Sequence, residues 1–198
     1  MNEQALSAEQ AWESLESRCR ACTACPLGAS KINTVFGTGS RTARLMFVGE
    51  APGEQEDRTG IPFVGKAGQL LDKFLFAVDI PREDVYIANI LKCRPPNNRD
   101  PDPTEEDACI GYLREQFRLI RPKVLVCLGR ISAMRLIKPD FRITREHGHW
   151  VLKGGVWMTA VYHPAALLRD PAQKEDMLRD MMAVKEKLRE IVGNAENE

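Results

Sequence analysis

Six cysteines in 198 residues are the side chains whose spacing most directly implies chemistry. Cys22 and Cys25 are two residues apart and are followed by Pro26, and Cys93 and Cys109 follow later with fifteen residues between them. Four soft thiolates in two groups can enclose one soft metal centre, either a zinc ion or an iron-sulfur cluster. Spacing does not choose between these. Nor does it choose the first pair, because Cys19, Cys22 and Cys25 form two overlapping pairs of equal spacing. Cys127 lies in the apolar run 124–128 and reads as a small buried hydrophobe.

Disulfides are the competing use of these thiols. The first eighteen residues hold no apolar stretch of signal-peptide length, and no run anywhere is long enough to cross a membrane. A cytoplasmic chain with reduced thiols is the expectation. Lysine plus arginine equals aspartate plus glutamate at 28 each, so global charge gives no argument for a nucleic-acid partner, and any such partner must be held by local patches.

The elements that must position this chemistry alternate. Short apolar runs at 43–49, 85–89, 123–129 and 156–162 read as buried strands. Between them, helical spacing of apolar residues marks 68–78, a stretch to about 120 that opens at Thr104 as N-cap with acids in its first turn, and a short segment to 137. A long amphipathic stretch from about 174 to 191 closes the chain. With 43% hydrophobic residues, the length suits one domain. The expectation is a three-layer α/β/α sandwich around a mainly parallel four-stranded sheet, with residues 1–18 as a helical extension and 193–198 as a disordered tail. No internal repeat or low-complexity linker interrupts it.

In such sheets ligands gather at the carboxyl ends of the strands. That rule selects the loop at 49–57, Asn89 with the loop after it, and the segment opening at His163. Each has an ordinary structural reading: a glycine- and proline-fixed turn, a capping Asn, a His before proline, and in Phe63 a core aromatic. The acids in the 49–57 loop, and its lack of a lysine, argue against a phosphate cradle. Convergence at one sheet edge is what favours a site.

Five stretches, taken in order, resemble the family 4 uracil-DNA glycosylases, the iron-sulfur branch of the uracil-DNA glycosylase superfamily. These are Cys22 to Pro26, the loop 49–57, the segment 60–68, the segment 89–96, and His163-Pro164-Ala165. The resemblance runs from about Cys22 to about Pro171. It implies one [4Fe-4S] cluster on Cys22, Cys25, Cys93 and Cys109, with a structural zinc as the alternative, and Cys19 as a departure from the family pattern. It further implies hydrolysis of the bond between uracil and deoxyribose, in single- or double-stranded DNA, by a monomer that flips the nucleotide into a pocket.

By that resemblance Phe63 stacks on the base, the Asn89 amide reads the O4 and N3–H edge, the backbone at Ala51 helps bind the base, and Glu56 occupies the space a thymine methyl needs. His163 donates a hydrogen bond to uracil O2, where negative charge accumulates. The best-known branch of the superfamily has a water-activating aspartate where this chain has Ala51, so Glu50 is the candidate for orienting water or stabilising the cationic sugar. Leu167, four residues after His163, is the candidate wedge into the gap left by the flipped base. Arg94, Arg99, Arg142, Arg145, Lys153 and Arg169 are candidate phosphate partners.

Two other classes compete. A zinc-ribbon-like binding module explains the cysteines but not the 49–57 loop, Asn89 and His163 together. A ferredoxin-like carrier needs a fourth nearby thiol and no α/β body of this size. One superfamily relative becomes attached to DNA through a histidine on an inserted basic loop; here residues 94–99 follow Cys93 without such an insert, so turnover is expected.

Overall fold

A computed structural model describes residues 7–195. Helix α1 (Ala8–Arg20) opens at Ser7, whose hydroxyl and the Gln10 side chain form a reciprocal capping box. Its Trp12, Leu15 and Cys19 face inward. The helical extension expected over 1–18 includes residues 1–6, which lie outside the described residues. A short helix α2 (Leu27–Ser30) leads to β1 (Thr38–Gly39) and β2 (Leu45–Gly49). Helices α3 (Glu54–Thr59) and α4 (Lys66–Ala77) precede β3 (Tyr86–Asn89). Helix α5 (Pro103–Ile120) leads to β4 (Val124–Leu128), and α6 (Arg130–Leu136) and α7 (Ile143–Glu146) follow. Strands β5 (Val151–Lys153) and β6 (Val156–Val161), then α8 (Pro164–Arg169) and α9 (Lys174–Ala195), complete the chain.

The sheet has six strands in the order β1-β3-β2-β4-β6-β5. Its centre, β3-β2-β4-β6, is wholly parallel, and β1 and β5 add antiparallel edges. The expected four-stranded sheet is thus this centre, and six strands correct the count. The edge strands escape a reading of apolar runs for a physical reason. Strand β1 has two residues, and every residue of β5 is exposed, so neither carries a buried run.

Alternation along the central strands divides the core. Met46, Val48, Leu125 and Cys127 face α1, α5 and α6, while Phe47, Val124, Val126 and Leu128 face α4, α8 and α9. Two covered faces make the three layers and explain why these strands read as continuous apolar runs. Cys127 has no exposed surface and serves as the small hydrophobe expected of it.

Two boundaries shift. Helix α5 is capped by Asp102, not Thr104: Asp102 accepts from the Thr104 backbone N–H, Glu105 reaches back to the Asp102 N–H, and Pro103 takes the first helical position. Helix α9 continues to Ala195, into the tail expected to be disordered from 193; residues 196–198 lie outside the described residues. Among the described residues, no helix is long and apolar enough to cross a membrane.

Candidate active site and cysteine cluster

The four parallel strands end side by side, and each delivers a residue or loop to one cavity of about 540 Å³. Strand β2 runs into Glu50, Ala51, Pro52 and Gly53, β3 ends on Asn89, β4 leads to Gly129 and Arg130, and β6 to Tyr162 and His163. Phe63 and Glu56 line the same space. All six residues assigned to base binding therefore share one cavity.

Close packing at two glycines makes this possible. A Cβ on Gly49 would stand 2.3 Å from the Asn89 Oδ1 and 2.7 Å from the Phe63 ring. A Cβ on Gly129, where φ is +94°, would stand 2.8 Å from the Cβ of His163. Only glycine lets these three side chains crowd the strand ends. The rings of Phe63 and His163 lie 5.7 Å apart, tilted by 36°.

Phe63 has φ +53°, a strained conformation for a bulky residue, and needs an external hold. Two features supply it. The Arg82 guanidinium, paired with Asp72, donates to the carbonyls of Pro62 and Phe63 at 2.9 and 3.1 Å. The Glu56 carboxylate accepts from the backbone N–H groups of Gly53, Val64 and Gly65 at 3.1, 3.0 and 2.8 Å. Glu56 thereby clamps the loop after β2 to the loop bearing Phe63. Arg82 was silent in the sequence, where it is one more charge ahead of a strand.

His163 caps α8, and its Nδ1 accepts the Ala165 backbone N–H at 3.1 Å. An accepting Nδ1 places the proton on Nε2. Burial, reinforced by the Arg169 charge and opposed by Glu56, pushes the imidazole down to about 4. At neutral pH it is an uncharged ring with one fixed N–H donor. Glu50 is shifted in the other direction: burial, together with Asp100 and Glu106 and against Arg130, raises its carboxyl to about 7. Arg130 is paired with Asp100 at 2.8 Å, so its charge is shared. Asn89 is buried, and among the described residues its Oδ1 has no hydrogen-bond partner. Orphaned buried acceptors are rare and ask for a missing donor.

Leu167 is corrected. It has no exposed surface and packs in the core among residues of α4 and α9, so it cannot wedge into DNA. The next residue, Leu168, is 47% exposed. One place on a short helix separates a core position from a surface one, and spacing from His163 alone did not resolve it. Among the candidate phosphate partners, Arg99 is tied to the buried Glu105 at 2.6 Å, Lys153 donates to the Leu136 carbonyl, and Arg169 lines the cavity.

Beside this cavity, Cys22, Cys25, Cys93 and Cys109 line a second, smaller one together with Cys19. Backbone N–H groups of Ala24 and Lys92 point at the sulfurs of Cys22 and Cys109, at 3.5 and 3.3 Å. Burial pushes the thiols of Cys19 and Cys93 up to about 12. As the side chains stand, among the described residues no three His, Cys, Asp or Glu form a group able to hold a single metal ion. Ala51, which lines the base cavity, packs against the apolar cluster that holds Cys93 and Cys109.

Residues 36–184 match the model of the uracil DNA glycosylase superfamily, and the chain belongs to that superfamily. Over 187 residues it is 46% identical to a type-4 uracil-DNA glycosylase of Archaeoglobus fulgidus, covering 88% of this chain and 93% of that protein. A type-4 uracil-DNA glycosylase of Thermotoga maritima is 45% identical over 166 residues, 82% of this chain and 85% of its own. Similarity to a type-5 uracil-DNA glycosylase of Thermus thermophilus is lower, 32% over 167 residues and 74% of each chain.

Proposed function

We propose that this chain repairs DNA by flipping uracil out of the strand and hydrolysing its N-glycosidic bond, leaving an abasic site. The observation that carries this reading is the unpartnered Asn89 Oδ1, set in a cavity with an aromatic plate and a neutral imidazole donor. Uracil offers what that atom lacks: N3–H donates to Oδ1 while O4 accepts from the amide Nδ2. Cytosine presents an acceptor at N3 and a donor at C4, which leaves the same amide frustrated. Phe63 stacks on the ring, and the backbone at Ala51 closes the base edge. Glu56, held by three N–H groups, is a wall that cannot swing aside, and this rigidity suits exclusion of a C5 methyl.

As the bond lengthens, charge grows on uracil O2, and the His163 Nε2–H stabilises it without a proton transfer. Glu50 faces the sugar side, where its carboxylate orients water or stabilises the oxocarbenium-like carbon. Leu168 replaces Leu167 as the surface side chain available to the gap in the stack. The site is built within one chain, which is compatible with a monomer acting in the cytoplasm.

Cys22, Cys25, Cys93 and Cys109 fit a [4Fe-4S] cluster by donor chemistry and by their shared cavity, with N–H groups directed at two of the sulfurs. When bound, such a cluster supplies a structural tie between the N-terminal segment, the loop after β3 and α5. Zinc is the alternative.

The test is excision from an oligonucleotide carrying one uracil, beside thymine and cytosine strands, using anaerobically purified protein whose iron, sulfide and zinc are measured. Cleavage of the uracil strand alone, with about four irons and four sulfides per chain, is the expected result. Metal-replete protein inert on uracil would move a DNA-binding module to first place.

The shift of Glu50 sets a pH dependence. Its carboxyl is neutral below about 7 and charged above. If the anion serves the sugar, kcat/KM falls about tenfold per unit as pH drops below that value. His163 contributes nothing in this range, because it stays neutral down to about 4. Glu50→Gln is expected to flatten the profile between pH 5 and 8 at a reduced rate. A flat wild-type profile would remove the Glu50 anion from the mechanism.

A further inference from the structure

Lys92 is 1% exposed, yet it borders only the cysteine cavity and not the base cavity. Its ammonium donates to the backbone carbonyl of Asn89 at 2.9 Å and to the Gln116 Oε1 at 2.7 Å. Gln116 is itself fixed, because its Nε2 donates to the Phe36 carbonyl and to the Tyr86 hydroxyl, each at 2.9 Å. With both amide hydrogens committed, Oε1 must face the lysine. The backbone of Lys92 is held as firmly: its N–H donates to the Cys109 sulfur at 3.3 Å, and its carbonyl accepts from Val35 at 2.8 Å. One residue thus touches a thiol through its main chain and the end of β3 through its side chain.

An ammonium taken fully out of water is costly, and a methionine of similar length would fill the space without that cost. The charge has to serve something that an apolar chain cannot. Asn89 is the last residue of β3; beyond it the chain leaves regular pairing, and only Ile90 and Leu91 continue, donating to the carbonyls of Gly49 and Glu50. The peptide after Asn89 is thus held from both ends, by the Ile90 N–H on the Gly49 carbonyl and by the Lys92 ammonium on the Asn89 carbonyl, and the direction of the Asn89 side chain depends on both.

We infer that Lys92 is a positioning residue for base recognition: its bond to the Asn89 carbonyl aims the unpaired Oδ1 into the base cavity, and its contact with Cys109 makes that aim depend on an intact cysteine cluster. This inference rests on Asn89 reading the base, as proposed above. A misplacement of about 1 Å at a recognising group can cost on the order of 100-fold in rate.

The test is a double-mutant cycle of Lys92→Met and Asn89→Ala. Four quantities are measured: single-turnover excision, affinity for a duplex carrying a non-hydrolysable 2′-fluorinated deoxyuridine, Tm, and iron content. Lys92→Met alone is expected to lower excision by roughly 10- to 100-fold and to weaken binding of the uracil analogue relative to its thymine counterpart, with iron unchanged. In the Asn89→Ala background the same substitution should change excision by less than about twofold, while any loss of Tm persists in both backgrounds.

An equal loss in both backgrounds would overturn the inference, since the lysine would then act on folding at large. A loss of iron in proportion to activity would also overturn it, because the lysine would then serve the cluster alone. If Asn89→Ala by itself leaves excision intact, the reading of Asn89 fails first, and that outcome is visible before the cycle is closed. Should Lys92→Met not yield folded protein, Gln116→Leu removes the lysine's second acceptor outside the base cavity, and the cycle with Asn89→Ala is run on it with the same expected pattern.

Discussion

Replacing His163 with alanine is expected to lower single-turnover excision by about two to three orders of magnitude and to leave DNA affinity near the wild-type level. The reasoning begins with the hydrogen bond from the Ala165 N–H to Nδ1, which assigns the proton to Nε2 before substrate arrives. Burial then keeps the ring neutral above about 4, so this donor is in place throughout the neutral range. A preorganised donor aimed at developing charge is worth about 3 to 4 kcal/mol in other enzymes, because it binds the transition state more tightly than the ground state. That differential predicts a loss in rate rather than in KM. His163→Gln, which keeps an N–H of comparable reach, should recover part of the loss. A variant that cleaves at the wild-type rate would take His163 out of the mechanism, and one that simply fails to bind DNA would assign it to recognition.

The neutrality of His163 also has a thermodynamic sign. Its folded value lies below the ordinary 6.5, so between 6.5 and about 4 the unfolded chain binds the extra proton. Stability from this group is complete above 6.5 and declines as pH falls through that window. Glu50 works the opposite way. A carboxyl raised to about 7 favours the folded state in its protonated form, so ionising it at higher pH costs stability. Two groups held against their solvent preference in one cavity are characteristic of a site shaped for reaction rather than for folding.

What could be read from the sequence follows from which signals are local. The four central strands are buried on both faces, and continuous apolar runs such as 124–128 record that directly. The edges β1 and β5 bury little, so their pairing is decided by neighbours and leaves no mark on composition. The strand-end rule located Glu50, Asn89 and His163 because the parallel order places every carboxyl end on one side. The preference for Cys22 and Cys25 over Cys19 rests on the family resemblance alone, since all three line the same cavity. The supporting contacts stayed hidden. Arg82 acts on carbonyls about twenty residues earlier, and Lys92 meets Gln116 across the fold. Neither partnership has a sequence period. A lysine beside a cysteine in an otherwise apolar stretch was the one available hint, since a charge there must be either exposed or paired.

Asn89→Asp carries the second large effect, and its direction separates recognition from mere packing. The substitution is nearly isosteric, so the neighbours at Gly49 and Phe63 need not move. What changes is hydrogen-bonding capacity: the amide offers N–H donors beside its carbonyl acceptor, whereas an ionised carboxylate offers acceptors only. Uracil O4 then faces a second acceptor, and a charge with no cation bonded to it sits in a buried place. Sites that hydrogen-bond a substrate group discriminate strongly when one partner is lost, because the remaining polar atoms stay unpaired. A loss of about 100-fold or more in excision of uracil is expected at pH 8. Recovery at lower pH is the diagnostic. Protonation restores one O–H donor, so the deficit of the variant relative to wild type at the same pH should shrink as pH falls, although protonation of Glu50 lowers the absolute rate of both. A variant equally impaired at all pH values would mean that Asn89 supports the cavity without reading the base, and an unimpaired one would place it outside recognition altogether.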